Sequence, residues 1–184
     1  MKSTRTGAVA VFGSSQTEPG SPQWIEAERV GSLLAAAGLG VVTGGYGGTM
    51  EAASKGAVTS GGTAIGVTAP ELFRKRSGAN AYVTEEIETA SLAERLGVLT
   101  DLATGVIVLP GSIGTVAELV VAWNLNHIAR RNGGRRLPTA AVGAGWGELW
   151  RLLTEELGAF GDDIHRVASV DEAVDWLLEQ PEIR

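Results

Sequence analysis

Short apolar runs of strand length alternate with helix-length segments from one end of this chain to the other. Ala8–Phe12, Leu39–Thr43, Thr63–Thr68, Gly105–Leu109 and Pro138–Val142 are each five or six residues long. They are nearly continuous in apolar character, as strands covered on both faces are. Between them lie segments with helical signals. One opens at Ser21-Pro22 and runs to Ala37, with Gly38 as its stop, and Thr49–Thr59 is closed by Gly61-Gly62. Others span Ala90–Leu102, Gly114 to about Arg131, and Trp146–Leu157, and Ser169-Val170-Asp171-Glu172 caps a closing helix. Tyr82–Ile87 reads as a short edge strand and Ile164–Ala168 as the last strand. The polar segment 69–81, with Arg74, Lys75 and Arg76, reads as a surface loop with room for one helical turn. Such alternation demands parallel strands joined by right-handed crossovers. The expected fold is α/β, a Rossmann-like doubly wound parallel sheet with helices on both faces. With 184 residues and neither repeat nor linker, one domain spanning residues 1–184 is expected.

Composition removes several classes of function. The formal net charge is −6, and only three of the fifteen basic residues are lysine, so nonspecific nucleic-acid binding is not expected. The one basic cluster, Arg130, Arg131, Arg135 and Arg136, is interrupted by Asn132-Gly133-Gly134 and reads as a solvated loop rather than a phosphate clamp. Cysteine is absent, which excludes disulfides, thiol catalysis and cysteine-ligated metals. Two histidines, His127 and His165, are too few for a histidine-rich metal site, and no metal or other cofactor is expected. Met1–Thr6 is polar, the apolar run after it is only a strand long, and no apolar span reaches membrane length. No membrane association and a cytoplasmic setting are therefore expected.

The 26 glycines, far above the ~7% of ordinary usage, gather at the ends of the apolar runs. In a doubly wound sheet those are the carboxyl ends of the strands, where ligands bind. A glycine-rich turn feeding a helix offers unpaired backbone N–H groups and the positive end of the helix dipole, a natural phosphate site. Two such turns stand out, Gly44-Gly45-Tyr46-Gly47-Gly48-Thr49 and Pro110-Gly111-Ser112-Ile113-Gly114-Thr115, with Gly13-Ser14-Ser15 as a smaller third. None has the G-x-x-x-x-G-K-[ST] pattern of a nucleoside triphosphatase, and the first strand lacks the G-x-G-x-x-G of a dinucleotide site. Gly13, Ser14, Gly45, Gly47, Gly48, Thr49, Gly111, Ser112, Gly114 and Thr115 are thus the candidate ligands of a nucleotide or another phosphorylated small molecule.

Two of these segments carry a family resemblance. Gly44-Gly45-Tyr46-Gly47-Gly48-Thr49-Met50-Glu51-Ala52-Ala53 and Pro110-Gly111-Ser112-Ile113-Gly114-Thr115-Val116-Ala117-Glu118 resemble the two glycine motifs of the "Lonely guy" cytokinin riboside 5′-monophosphate phosphoribohydrolases. The second is similar to that family's P-G-G-x-G-T-x-x-E signature. The likeness runs from Val9 to about Trp146, and the wider family includes molybdenum-cofactor carrier-like proteins. The label of lysine decarboxylase often attached to the family has no support here, since nothing points to a pyridoxal phosphate site. The resemblance implies hydrolysis of the N-glycosidic bond of a nucleoside 5′-monophosphate to free base and ribose 5-phosphate. It implies Glu118 as the catalytic carboxylate and Arg95, in Glu94-Arg95-Leu96, as the first basic residue of the family's R-K pair, placed to fix the phosphate or the leaving base through its planar fork. It also implies a homodimer or larger homo-oligomer built on the helix after the second motif, whose Leu119, Trp123 and Ile128 fit core or interface equally.

Simpler structural roles compete with these assignments. Thr115-Val116-Ala117-Glu118 has the T-x-x-E form of a capping box, and Arg95 on an open helix face would be a surface charge. Two positions depart from the family pattern. Leu96 stands where a lysine would follow the arginine, and Ser112 replaces the second glycine of P-G-G. Two readings follow: an N-glycosidase acting on nucleotides, or a protein that carries a phosphorylated ligand without turnover.

Overall fold

A computed structural model describes residues 7–74 and 78–183, so the readings made at Met1–Thr6, Lys75 and Arg76 lie outside the described residues. Seven strands form one parallel sheet: β1 (Ala8–Phe12), β2 (Gly40–Thr43), β3 (Ala64–Thr68), β4 (Glu85–Glu88), β5 (Ala103–Val108), β6 (Thr139–Val142) and β7 (His165–Val167). Their order is β4-β3-β2-β1-β5-β6-β7, with every neighbouring pair parallel. The chain walks outward from β1 to β4, then returns to lay β5 on the other side of β1. That reversal puts the topological switch between β1 and β5, with the carboxyl ends of both strands at one crevice.

The helices are α1 (Pro22–Ala36), α2 (Thr49–Thr59), α3 (Leu92–Leu102), α4 (Ile113–Asn132), α5 (Gly147–Arg151) and α6 (Val170–Leu178). Alternate residues of one strand feed opposite layers. Val9 and Val11 pack with Val30 and Leu34 of α1, Ala53 of α2 and Leu177 of α6. Ala10 and Phe12 pack with Leu99 of α3 and with Leu119 and Trp123 of α4. All five residues of β1 are buried, as expected of a central strand in a covered sheet.

Three elements differ from expectation. β5 starts at Ala103, two residues before Gly105, and α3 passes into it without a loop. Arg135 donates to the Ala103 carbonyl, and Ala103 pairs with Ala8 across an irregularity in register. The edge strand begins at Glu85, because Asn80 holds residues 80–83 in a turn through bonds from the Tyr82 and Val83 amides. The helix expected over Trp146–Leu157 is broken into a tight turn at Ala144–Trp146, α5, and a widened turn at Leu152–Glu156. Neither α5 nor the widened turn fully buries a residue; Leu149, Trp150 and Leu153 pack only half-buried against the core, so tertiary packing enforces regular geometry there weakly.

Candidate functional site

At the switch point lies a cavity of about 270 Å³, bounded by residues from five separate stretches. Gly13 and Ser15 follow β1, Gly44 and Met50 flank the turn after β2, Phe73 follows β3 and Arg95 comes from α3. Ser112, Ile113, Gly114, Thr115 and Glu118 come from the start of α4.

The first turn of α4 forms its polar floor. Ser112 is the N-cap, with φ −103°, a conformation open to any residue, and its hydroxyl makes no capping bond. Thr115 is only 2% exposed, yet its Oγ1 has no hydrogen-bond partner. A buried hydroxyl left unpaired costs about 1–3 kcal/mol unless something meets it. Gly111 lets the chain pass close by, since a Cβ there would sit 2.1 Å from Thr115 Oγ1. The capping-box reading of Thr115 and Glu118 is not realised, because Ser112 holds the N-cap position, without a side-chain bond, and Thr115 is the third residue of the helix. A box of that kind does form at α3. Glu94 N donates to Ser91 Oγ (3.1 Å), and Ala90 N donates to Glu94 Oε2 (2.8 Å).

Glu118 lies one turn beyond Thr115 on the same helix face. Its side chain is 12% exposed, and its Oε1 is 3.8 Å from Arg95 Nη1, close enough for attraction but too far for a hydrogen bond. Burial pushes the carboxyl pKa up to about 7, and the Arg95 charge only partly opposes it. Both protonation states of Glu118 are therefore accessible near neutral pH.

Arg95 is not a surface charge. It is 6% exposed, with Nε donating to the Val67 carbonyl (2.8 Å) and Nη2 to the Gly44 carbonyl (3.1 Å). Its guanidinium carbon lies 5.8 Å from the Tyr46 ring centre and 5.7 Å from that of Phe73. It thus ties the end of β3, the turn after β2 and Glu118 together. Leu96 is half-buried on α3 and does not line the cavity.

The turn after β2 is divided between duties. Gly48, at φ +69°, passes so close to the first turn that a Cβ would lie 2.5 Å from the Ser14 carbonyl, where only glycine fits. Thr49 N donates to that carbonyl (2.9 Å), and Thr49 Oγ1 bonds Thr17 Oγ1 (3.0 Å). The Gly45 carbonyl accepts from the Asn80 backbone amide (2.7 Å). Gly45, Gly48 and Thr49 therefore hold neighbouring turns together, outside the cavity lining. Gly47 opens onto an adjoining polar depression with Ser15, Tyr46, Glu51 and Asn80. Ser14 faces another beside Thr17, Ser21 and Pro110, and its Oγ accepts from Gln16 N (3.0 Å). Of the sequence candidates, Gly13, Arg95, Ser112, Gly114, Thr115 and Glu118 meet at the cavity. Gly44, Met50 and Phe73 join them without having been expected. Gly44 opens its motif and was within reach of pattern reading; Phe73 sits in a stretch with no periodicity to mark it.

The basic cluster lies at the amino ends of the strands, across the sheet from the cavity. Arg130 pairs with Asp162 (2.9 Å) and Asp163 (2.8 Å), Arg136 lies 3.6 Å from Asp163, and Arg135 binds the Ala103 carbonyl. The loop at 133–136 is exposed, as expected, and Arg130, Arg135 and Arg136 in addition fasten neighbouring segments to the fold. Among the described residues no group of three or more His, Asp or Glu side chains is placed to hold a metal, and no helix is long and apolar enough to cross a membrane.

A sequence model of the SLOG cluster4 family matches residues 6–129, which include both glycine motifs. A cytokinin riboside 5′-monophosphate phosphoribohydrolase of Mycobacterium marinum is 33% identical over 129 residues, 69% of this chain and 68% of that protein. A pyrimidine/purine nucleotide 5′-monophosphate nucleosidase of Escherichia coli is 32% identical over 105 residues, 53% of this chain but only 23% of the relative. Among solved structures, the molybdenum cofactor binding protein of Rippkaea orientalis superposes with a TM-score of 0.75 at 22% identity, over 96% of this chain and 98% of that one. That likeness is one of fold.

Proposed function

This chain belongs to the SLOG cluster4 family, and from that premise we propose that it hydrolyses the N-glycosidic bond of a nucleoside 5′-monophosphate, releasing free base and ribose 5-phosphate. The observation that carries the reading is the pairing, in one cavity, of an unpartnered buried hydroxyl at an uncapped helix start with a buried carboxylate one turn further on. The nucleotide specificity of the Mycobacterium marinum and Escherichia coli relatives supports it.

The 5′-phosphate sits at the start of α4, accepting from backbone N–H groups and from Thr115 and Ser112. The ribose then lies over the second turn, beside Glu118. As the bond from C1′ to the base nitrogen breaks, the electron pair leaves with the base and positive charge grows on the sugar. The ionised Glu118 carboxylate offsets that charge. Water adds to C1′ and gives its proton to Glu118, which returns it to solvent or to the departing base. Arg95 steadies the carboxylate and keeps part of its population ionised. A homodimer or larger homo-oligomer in the cytoplasm completes the proposal, α4 supplying the contact face.

The test is chromatographic. Purified protein given AMP, GMP or CMP is expected to release free base and ribose 5-phosphate, and Glu118→Gln to lower kcat by about 10²–10⁴-fold with binding retained. Because the ionised carboxylate is the working form, kcat/KM is expected to climb with pH and level off above about 7. Tight binding of every nucleotide with no base released would instead identify a carrier.

A further inference from the structure

Four groups that line the cavity are linked neighbour to neighbour. Thr115 and Glu118 are a helical turn apart, Glu118 is 3.8 Å from Arg95, and the Arg95 guanidinium is 5.7 Å from the Phe73 ring. A hydroxyl at a helix start, a carboxylate, a cation and an aromatic ring therefore follow one another. A nucleoside 5′-monophosphate has the matching sequence of phosphate, sugar, scissile bond and planar base.

The geometry points to Phe73 as the residue on which the substrate's base stacks, an assignment that rests on the nucleotide reading above. Phe73 belongs to neither glycine motif. It lies on the connection between β3 and β4, where Glu71, Leu72 and Arg74 are exposed while Phe73 is half-buried and lines the cavity. Its ring is set edge-on to Tyr46, with centres 5.3 Å apart and planes at 66°, which fixes its tilt. Tyr46 is itself pinned, its Oη accepting from the Ala69 amide (2.8 Å). The ring is thus pre-oriented before a ligand arrives, so stacking costs little ordering entropy. Met50, 7% exposed, adds a polarisable thioether to the same cavity, a surface that adapts to purine and pyrimidine alike. The chemical class read at this end is a flat nitrogenous ring, selected by its π-face more than by its edge.

The experiment separates the base from the rest of the substrate. AMP and ribose 5-phosphate share the phosphate and sugar, and only AMP reaches Phe73. Their affinities are measured by calorimetry on Glu118→Gln protein, with and without Phe73→Ala, Phe73→Leu and Phe73→Trp. Phe73→Ala is expected to weaken AMP by about 10- to 100-fold and to leave ribose 5-phosphate within about threefold. Tryptophan should restore AMP binding, and leucine should restore it only in part. Unchanged AMP affinity in Phe73→Ala overturns the assignment. Equal weakening of both ligands also overturns it, since Phe73 would then act by bracing Arg95 and Glu118. Turnover is scored separately on the wild-type protein. A chain that releases no base yet loses AMP selectively on Phe73→Ala fails as a glycosidase while keeping the base subsite.

Discussion

Glu118 sets the cavity's chemistry against the stability of the fold. Burial raises its pKa from the ordinary 4.5 to about 7, so between those values the folded chain holds a proton that the unfolded chain has released. Stability therefore falls as pH rises across that window, and above pH 7 the ionised, buried carboxylate costs about 3 kcal/mol. Glutamine keeps the shape without the charge. Glu118→Gln is expected to melt higher than wild type at pH 8, by roughly 5–10 °C for a chain of this size, and to match it at pH 4. Thermal unfolding at the two pH values checks this, and a glutamine variant less stable than wild type at pH 8 would contradict it. The same substitution should lower turnover by about 10²–10⁴-fold, the expected relation where a strained group serves function. Glu118 was legible in the sequence because its motif fixes its place after the glycine turn. Its pKa was not, since burial depends on Met50, Phe73 and α3, which come from other stretches of chain.

At the level of elements, the crossing of α1 and α2 turns on two glycines inside the helices. A Cβ on Gly56 would lie 1.9 Å from the Glu28 carbonyl oxygen, and one on Gly31 2.0 Å from that of Ala53. The two backbones touch directly, and Ser32 Oγ reaches the Gly56 carbonyl (3.2 Å) while Lys55 Nζ reaches Glu28 (2.9 Å). Helix propensity alone would credit Gly56→Ala with about 1 kcal/mol of gain. The clash is with backbone rather than a movable side chain, so the variant is expected to lose about 3 kcal/mol instead. Gly97 in α3 is the control, because nothing lies within 4 Å of its would-be Cβ, and Gly97→Ala should be neutral or mildly stabilising. Comparing melting temperatures of the two variants decides the matter. Glycine at the ends of apolar runs could be read as a stop, as at Gly38 and Gly61. Glycine inside a helix carries a meaning that depends on a second helix, which no local pattern reveals. The same limit explains the break near α5, where the apolar spacing was helical but Leu149, Trp150 and Leu153 end only half-buried against the core.

For the whole molecule, the alternation of runs implied parallel strands but not their order. That β5 lies beside β1 decides which turns converge, and so why Gly13 and the start of α4 share a cavity while Gly45, Gly48 and Thr49 brace its neighbours. The outer face of α4 follows from the same arrangement. Leu125 and Ile128 are 39% and 46% exposed, and Val120, Val121, His127, Leu153 and Leu157 line a shallow apolar groove of about 300 Å³ beside them. Ile113, at the start of the same helix, is 84% exposed and also lines the cavity. A second copy seated on α4 would bury this stripe and lie next to the site, a twofold, self-complementary contact of the commonest kind. Ile128→Asp places a charge in that contact without touching the core. Sedimentation equilibrium is expected to show wild type as a dimer or larger and the aspartate variant as a monomer with unchanged circular dichroism. Wild-type melting should rise with protein concentration, because association stabilises by mass action, and the variant's should not. A wild-type protein monomeric at tens of micromolar would leave the α4 stripe solvent-facing and remove the oligomer from the proposal.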